Sequence, residues 1–155
     1  MGEMKNKLIL LLLSLVLQLV PVAVHARSKL KDVIFIVNIE NTSEQISPRD
    51  ISDFYFKRKR QWPNGESVRF IDRTPTIRIR DNFLKSILNK TQTEVELFWI
   101  GQKLYSGDSA PLRESSDTAT LQFVSTFKGA IGYISTDVVL TGKNVKTIKV
   151  LDDED

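Results

Sequence analysis

Two arginines five positions apart, Arg73 and Arg78, bracket the hydroxyls of Thr74 and Thr76 just ahead of an apolar pattern with helical spacing. Guanidinium groups present planar, permanently charged donors that match phosphate or carboxylate oxygens. The free N–H groups and the dipole at a helix start also favour an anion, so this stretch has the makings of an oxyanion cradle. The plainer alternative has Thr76 capping the helix, with Arg78 and Arg80 in solvent or paired with Asp72 and Asp81. Asn38 ends a strongly apolar run and could face a cleft at a strand end, although turn formation is the commoner job of such a residue.

Other chemistries are poorly supplied. The 155 residues contain no Cys and a single His, His25, which falls in an N-terminal leader. Disulfide scaffolds, thiolate nucleophiles and thiolate zinc sites are excluded. Without His or Cys the remaining chain lacks the commonest general base, nucleophile activator and transition-metal ligands, so we expect a binding protein with no cofactor or metal, not an enzyme. Asp72 with Asp81, or Glu114 with Asp117, could be imagined as hydrolytic pairs, but nothing in their spacing demands it. The run Lys57-Arg58-Lys59-Arg60 is too short for a nucleic-acid footprint and reads as solvated surface. Trp62 and Trp99 are expected as core or lid residues more than as ligand-stacking groups.

Length on this scale argues for one domain, and 41% hydrophobic with 26% charged residues is an ordinary globular balance carrying a net charge of +3. Lys5 and Lys7 precede an apolar stretch over residues 8–20, and Val24-His25-Ala26 offers small residues at a cleavage site, the three-part pattern of an export signal. Cleavage after Ala26 is expected. Residues 27–151 then form the domain, residues 152–155 an acidic tail, and no stable membrane insertion remains. The competing reading is an uncleaved anchor, since residues 8–24 touch the lower limit of a spanning helix.

The cradle needs elements to position it. Val33-Ile34-Phe35-Ile36-Val37 is a β-branched run expected as a strand covered on both faces. Ser47, Pro48 and Asp50 supply a cap, a first helical residue and a first-turn acid for a helix over 48–56, with Ile51, Phe54 and Tyr55 inward. Trp62-Pro63-Asn64-Gly65 is a turn and 67–72 a strand. Ile79, Phe83, Ile87 and Leu88 predict a helix over 77–89 capped by Thr74 or Thr76. Thr91 with Glu94 is a capping box for a helix to about residue 104, and 107–115 reads as loop. Ser116 caps the next helix, which Gly129 ends in a left-handed turn. Residues 130–134 and 145–151 are the last strands. Strands separated by helices indicate the α/β class, a mixed or largely parallel sheet flanked by helices.

Four features together resemble one family. They are the early strand ending in Asn38 with Asn41 behind it, the stretch Asp50-Ile51-Ser52-Asp53-Phe54-Tyr55-Phe56-Lys57-Arg58, the loop Trp62-Pro63-Asn64-Gly65, and Gly129-Ala130-Ile131-Gly132-Tyr133-Ile134-Ser135. Their order and spacing over residues 33–135 are similar to the short PstS-like branch of the phosphate-binding family, the periplasmic solute-binding proteins of phosphate ABC transporters. The resemblance implies a type II periplasmic-binding-protein-like lobe in the periplasm, recognising phosphate or a related oxyanion through Arg73, to which the helix start adds Thr74, Thr76 and Arg78 and the strand end Asn38 as candidates. It also implies an ABC transporter permease, a sensor or another envelope protein as partner, and no nucleic acid. Ile77 and Arg78 stand where the family has the Ser and Gly of its phosphate turn, and Phe56 stands for a Gly. These departures motivate the alternative expectation of an envelope accessory protein that keeps the fold with a degenerate ligand site.

Overall fold

A computed structural model describes residue 30, residues 32–140 and residues 144–152 of the chain. The expected export signal at 1–26 and all of the acidic tail but Asp152 lie outside the described residues.

Strand β1 (Val33–Asn38) forms where the β-branched run predicts it. It pairs antiparallel with β5 (Ala130–Ser135) on one side, Ile36 facing Gly132, and with β6 (Val145–Thr147) on the other. Strand β3 (Arg69–Arg73) lies parallel to β5, and β4 (Leu112–Glu114) is parallel to β3, which gives a mixed sheet in the order β4-β3-β5-β1-β6. A small parallel pair, β2 (Gln45–Ile46) and β7 (Lys149–Val150), stands apart. Helices α1 (Pro48–Tyr55), α2 (Arg78–Phe83), α3 (Gln92–Tyr105) and α4 (Asp117–Thr126) cover the sheet.

The apolar strands have no polar face because helices cover both sides. Phe35, Val37, Phe70, Ile131 and Tyr133 point into one core with Ile51, Phe54, Tyr55, Phe83, Leu84, Val95 and Trp99. The residues between them, Ile36, Ile71, Ala130 and Ile134, meet Leu121 and Val124 of α4 on the other face. This strict alternation follows from the two-residue period of a strand. Trp62 is buried against Phe54 and donates its indole N–H to the Gly129 carbonyl at 3.0 Å. Both tryptophans sit in the core.

Capping largely follows the sequence. The Ser47 hydroxyl accepts from the Asp50 N–H at 3.0 Å, the Thr91–Glu94 box is closed, and Ser116 accepts from the Ala119 N–H. Helix α2 departs from expectation. Its N-cap is Ile77, with no hydroxyl cap from Thr74 or Thr76, and after Phe83 it widens into a π-helical turn (Leu84–Leu88) closed by left-handed Asn89. The stretch expected as loop holds the edge strand β4, too short and too polar to show an alternating pattern. The expected last strand is broken at Ile148, whose N–H reaches the Phe35 carbonyl between β6 and β7. Gly129 has no left-handed backbone; its service is close approach, since a Cβ there would lie 1.9 Å from the Ser67 carbonyl oxygen.

Candidate functional site

Strand alternation sends the neighbouring Asp72 and Arg73 to opposite faces of the sheet. Arg73 turns towards α4, almost wholly buried, and its Nε donates to the Glu114 carbonyl at 3.2 Å while a terminal nitrogen binds the Asp117 carboxylate. Asp117 occupies the first turn of α4, where a carboxylate suits the helix dipole, and its Oδ1 also accepts from the Ser135 N–H. Thr74 follows on the surface side and its N–H shares the Glu114 carbonyl at 3.1 Å. Thr76 is exposed, and the side chain of Arg78, 81% exposed, pairs with Asp32 at 3.2 Å.

The register decides which expected site residues meet. Arg73, Thr74, Thr76 and Arg78 stand together at the carboxyl end of β3. Asn38 stands at the other end of the sheet, because β1 runs antiparallel to β5, which itself runs with β3. About four residues of β5 separate the two levels, roughly 13 Å at the rise of a strand. There the Asn38 side-chain amide donates to the carbonyls of Val124 and Ser125 at 3.0 and 3.1 Å, and its oxygen accepts from the Glu40 N–H. It satisfies the free carbonyls at the end of α4. Among the described residues, the expected site cations at the β3 end are each matched by an acid, Arg73 by Asp117 and Arg78 by Asp32.

The denser polar cluster is on the opposite face. Asp72 is fully buried; its Oδ2 accepts from the Tyr55 hydroxyl at 2.9 Å and from Arg80 Nε at 3.1 Å, and its Oδ1 accepts from the Tyr133 hydroxyl and the Arg73 N–H. Arg80 has no exposure at all, and Glu96 stands 3.6 Å from its Nη2 while accepting from Arg113 at 2.7 Å. Burial, and after it the Asp72 carboxylate, pushes both phenols well above the ordinary tyrosine range. Burial works against the Arg80 charge, but the Asp72 carboxylate outweighs it and holds the guanidinium charged.

The sequence offers an Arg80–Asp72 pairing as one option, but as a surface pair. The signal for burial is present: Arg80 shares a helical face with Phe83, Leu84 and Ile87, and Asp72 shares a strand face with Phe70. Each cation of the basic run faces an acid, with Lys57 and Arg60 sharing Asp108, Arg58 facing Asp53 and Lys59 facing Asp50. One surface depression is lined by Lys59, Arg60, Trp62 and Ser67 and another by Arg49, Ser52, Asp53 and Arg58; neither takes in the expected site residues. Among the described residues no cluster of acids could hold a metal ion and no helix is long and apolar enough to cross a membrane.

No family model and no curated protein matches the chain. Solved structures do. The chain is similar to an ABC-type phosphate transport receptor from Vibrio cholerae, 16% identical with a TM-score of 0.57, over 77% of this chain and 46% of that one. It is similar also to PstS from Borrelia burgdorferi, 18% identical with a TM-score of 0.59, over 77% of this chain and 47% of that one. The chain spans less than half the length of these proteins. At such identities the likeness is one of architecture: this chain has a mixed α/β fold of the periplasmic-binding-protein type.

Proposed function

We propose that this chain is an exported, non-enzymatic accessory module of the cell envelope, built on one solute-binding lobe, that works through contact with an envelope protein such as a transporter permease or a sensor. The observation that carries this reading is the Arg73–Asp117 pair: the one arginine that the family resemblance assigns to phosphate is buried and spends its donors on Asp117 and on the Glu114 carbonyl. Recruiting it for a ligand would cost those bonds and leave Asp117 unpaired. The pairing of Arg78 with Asp32 points the same way.

A second reading is recognition of phosphate or a similar oxyanion at the carboxyl end of β3. It is favoured by the position of Arg73, Thr74, Thr76 and Arg78 at one sheet end and by the description of the Vibrio cholerae neighbour as a phosphate transport receptor. Periplasmic location belongs to both readings.

A thermal-shift panel with millimolar phosphate, sulfate and molybdate separates them. A ligand at about 100 times its dissociation constant stabilises the native state by roughly 2.7 kcal/mol. The accessory reading expects no shift with any anion; a phosphate-specific rise that Arg73→Ala abolishes would overturn it in favour of the oxyanion site.

A further inference from the structure

Glu96 stands at the rim of the Asp72 cluster, where two guanidiniums converge on one of its oxygens. Its Oε1 accepts from Arg113 Nη2 at 2.7 Å and lies 3.6 Å from Arg80 Nη2. The Glu96 side chain is 39% exposed, whereas that of Arg113 is 25% exposed and that of Arg80 wholly buried. The inner acid is already committed: Asp72 accepts from Arg80 and both phenols, and reaches Arg113 Nε only at 3.7 Å. The buried side-chain atoms that find no hydrogen-bond partner among the described residues are all N–H donors, namely Arg80 Nη1 and Nη2, Arg113 Nε and the indole nitrogen of Trp99. All but the last belong to the two arginines that Glu96 bridges. Buried donors without acceptors are costly, so this place is short of an acceptor.

We propose that Arg80 and Arg113 form a carboxylate-binding site that Glu96 fills from within, and that a small free carboxylate takes its place when the Glu96 side chain swings out to solvent. With Glu96 away, two guanidinium charges face the single charge of Asp72, and one anion restores the balance. A carboxylate is the matching group because Glu96 is one, and its two oxygens suit the guanidinium fork. A free ion has no tether to α3, so it can turn its second oxygen to the nitrogens that Glu96 leaves unmet. The full burial of Arg80 restricts the ligand to a small one. Glu96 competes as a tethered group at high effective concentration, so the native chain takes free carboxylates weakly and shows no shift with millimolar anions. The site uses neither Arg73 nor the threonines beyond it and stands under either reading of the function.

Melting temperatures in acetate against chloride at equal ionic strength test it, using Glu96→Gln to remove the competing charge at constant size and Glu96→Ala to remove the side chain. Both variants should melt higher in acetate than in chloride and bind acetate about tenfold or more tightly than the native chain. Adding Arg113→Gln should abolish the difference, and adding Arg73→Ala should leave it intact. In the native chain, a nuclear magnetic resonance titration with acetate should move the Glu96 side-chain carboxyl signal towards that of a solvated glutamate, which a purely structural ion pair would not do. Equal melting of both Glu96 variants in acetate and chloride, a response that survives Arg113→Gln, or a native Glu96 signal unmoved by acetate would overturn the proposal. So would a response lost in Arg73→Ala, which would belong to the carboxyl end of β3 instead.

Discussion

Asp72 and Arg80 form an ion pair at 3.1 Å in which neither side chain reaches solvent. It ties the carboxyl end of β3 to α2, and the Tyr55 and Tyr133 hydroxyls that close on the same carboxylate extend the tie to α1 and β5. Two of the guanidinium nitrogens of Arg80 make no hydrogen bond to protein and Glu96 stands 3.6 Å away, so the arginine depends chiefly on Asp72 for its compensation. Asp72→Ala should therefore cost about 3–5 kcal/mol, a large share of the stability of a domain this size. Replacing both partners, Asp72→Ala with Arg80→Met, should recover part of that loss. Urea midpoints of the three proteins measure it, and a double variant worse than Asp72→Ala alone would contradict the dependence.

Removing Arg73 should destabilise the protein with or without anions. Its guanidinium pins α4 to the sheet end through Asp117, whose side chain remains a quarter exposed, so Arg73→Ala should cost about 2 kcal/mol, less than a fully buried pair. The fall in melting temperature should be the same in phosphate and in chloride. A fall confined to phosphate buffer would assign the arginine to a ligand.

Gly132 lies mid-strand in β5 beneath α4. An added Cβ would sit 2.5 Å from a methyl of Ile71 and 3.0 Å from the methyl of Thr120, with no free volume to take it. Gly132→Ala should cost about 1–3 kcal/mol by overpacking, against the usual preference of a strand for alanine over glycine. Chemical denaturation gives the answer, and a stabilised Gly132→Ala protein would mean that α4 can move away from the sheet.

The two buried phenols set a limit on alkaline stability. Burial first, and the Asp72 carboxylate second, hold Tyr55 and Tyr133 protonated beyond the ordinary phenol value of about 10. The folded chain then keeps protons that the unfolded chain gives up, so this contribution is complete below about pH 10 and is lost as pH rises above it. Denaturation midpoints should fall more steeply above about pH 10 in the native sequence than in Tyr133→Phe, which has one such proton fewer. Equal slopes would contradict the linkage.

Local chemistry determined much of this protein in advance of its fold. The β-branched run of β1, the hydroxyl caps of α1, α3 and α4 and the helical spacing of their inward residues are short-range patterns, and each element forms close to where its residues imply. The α/β class followed from their order. The sequence also brought Arg73, Thr74, Thr76 and Arg78 into view as a group, because neighbours in the chain stay neighbours in space. What tertiary structure alone decided was the pairing of distant groups. Strand direction put Asn38 at the opposite end of the sheet from Arg73, and helix α4 brought Asp117 onto that arginine from 44 residues away. The short strand β4, carrying Arg113, became a strand only because β3 offered it an edge. Arg80 looks like a surface residue by type, yet the packing of α2 against β1 and β3 buried it on Asp72. Charge pairing and register are long-range properties, and no local spacing encodes which carboxylate a guanidinium will meet.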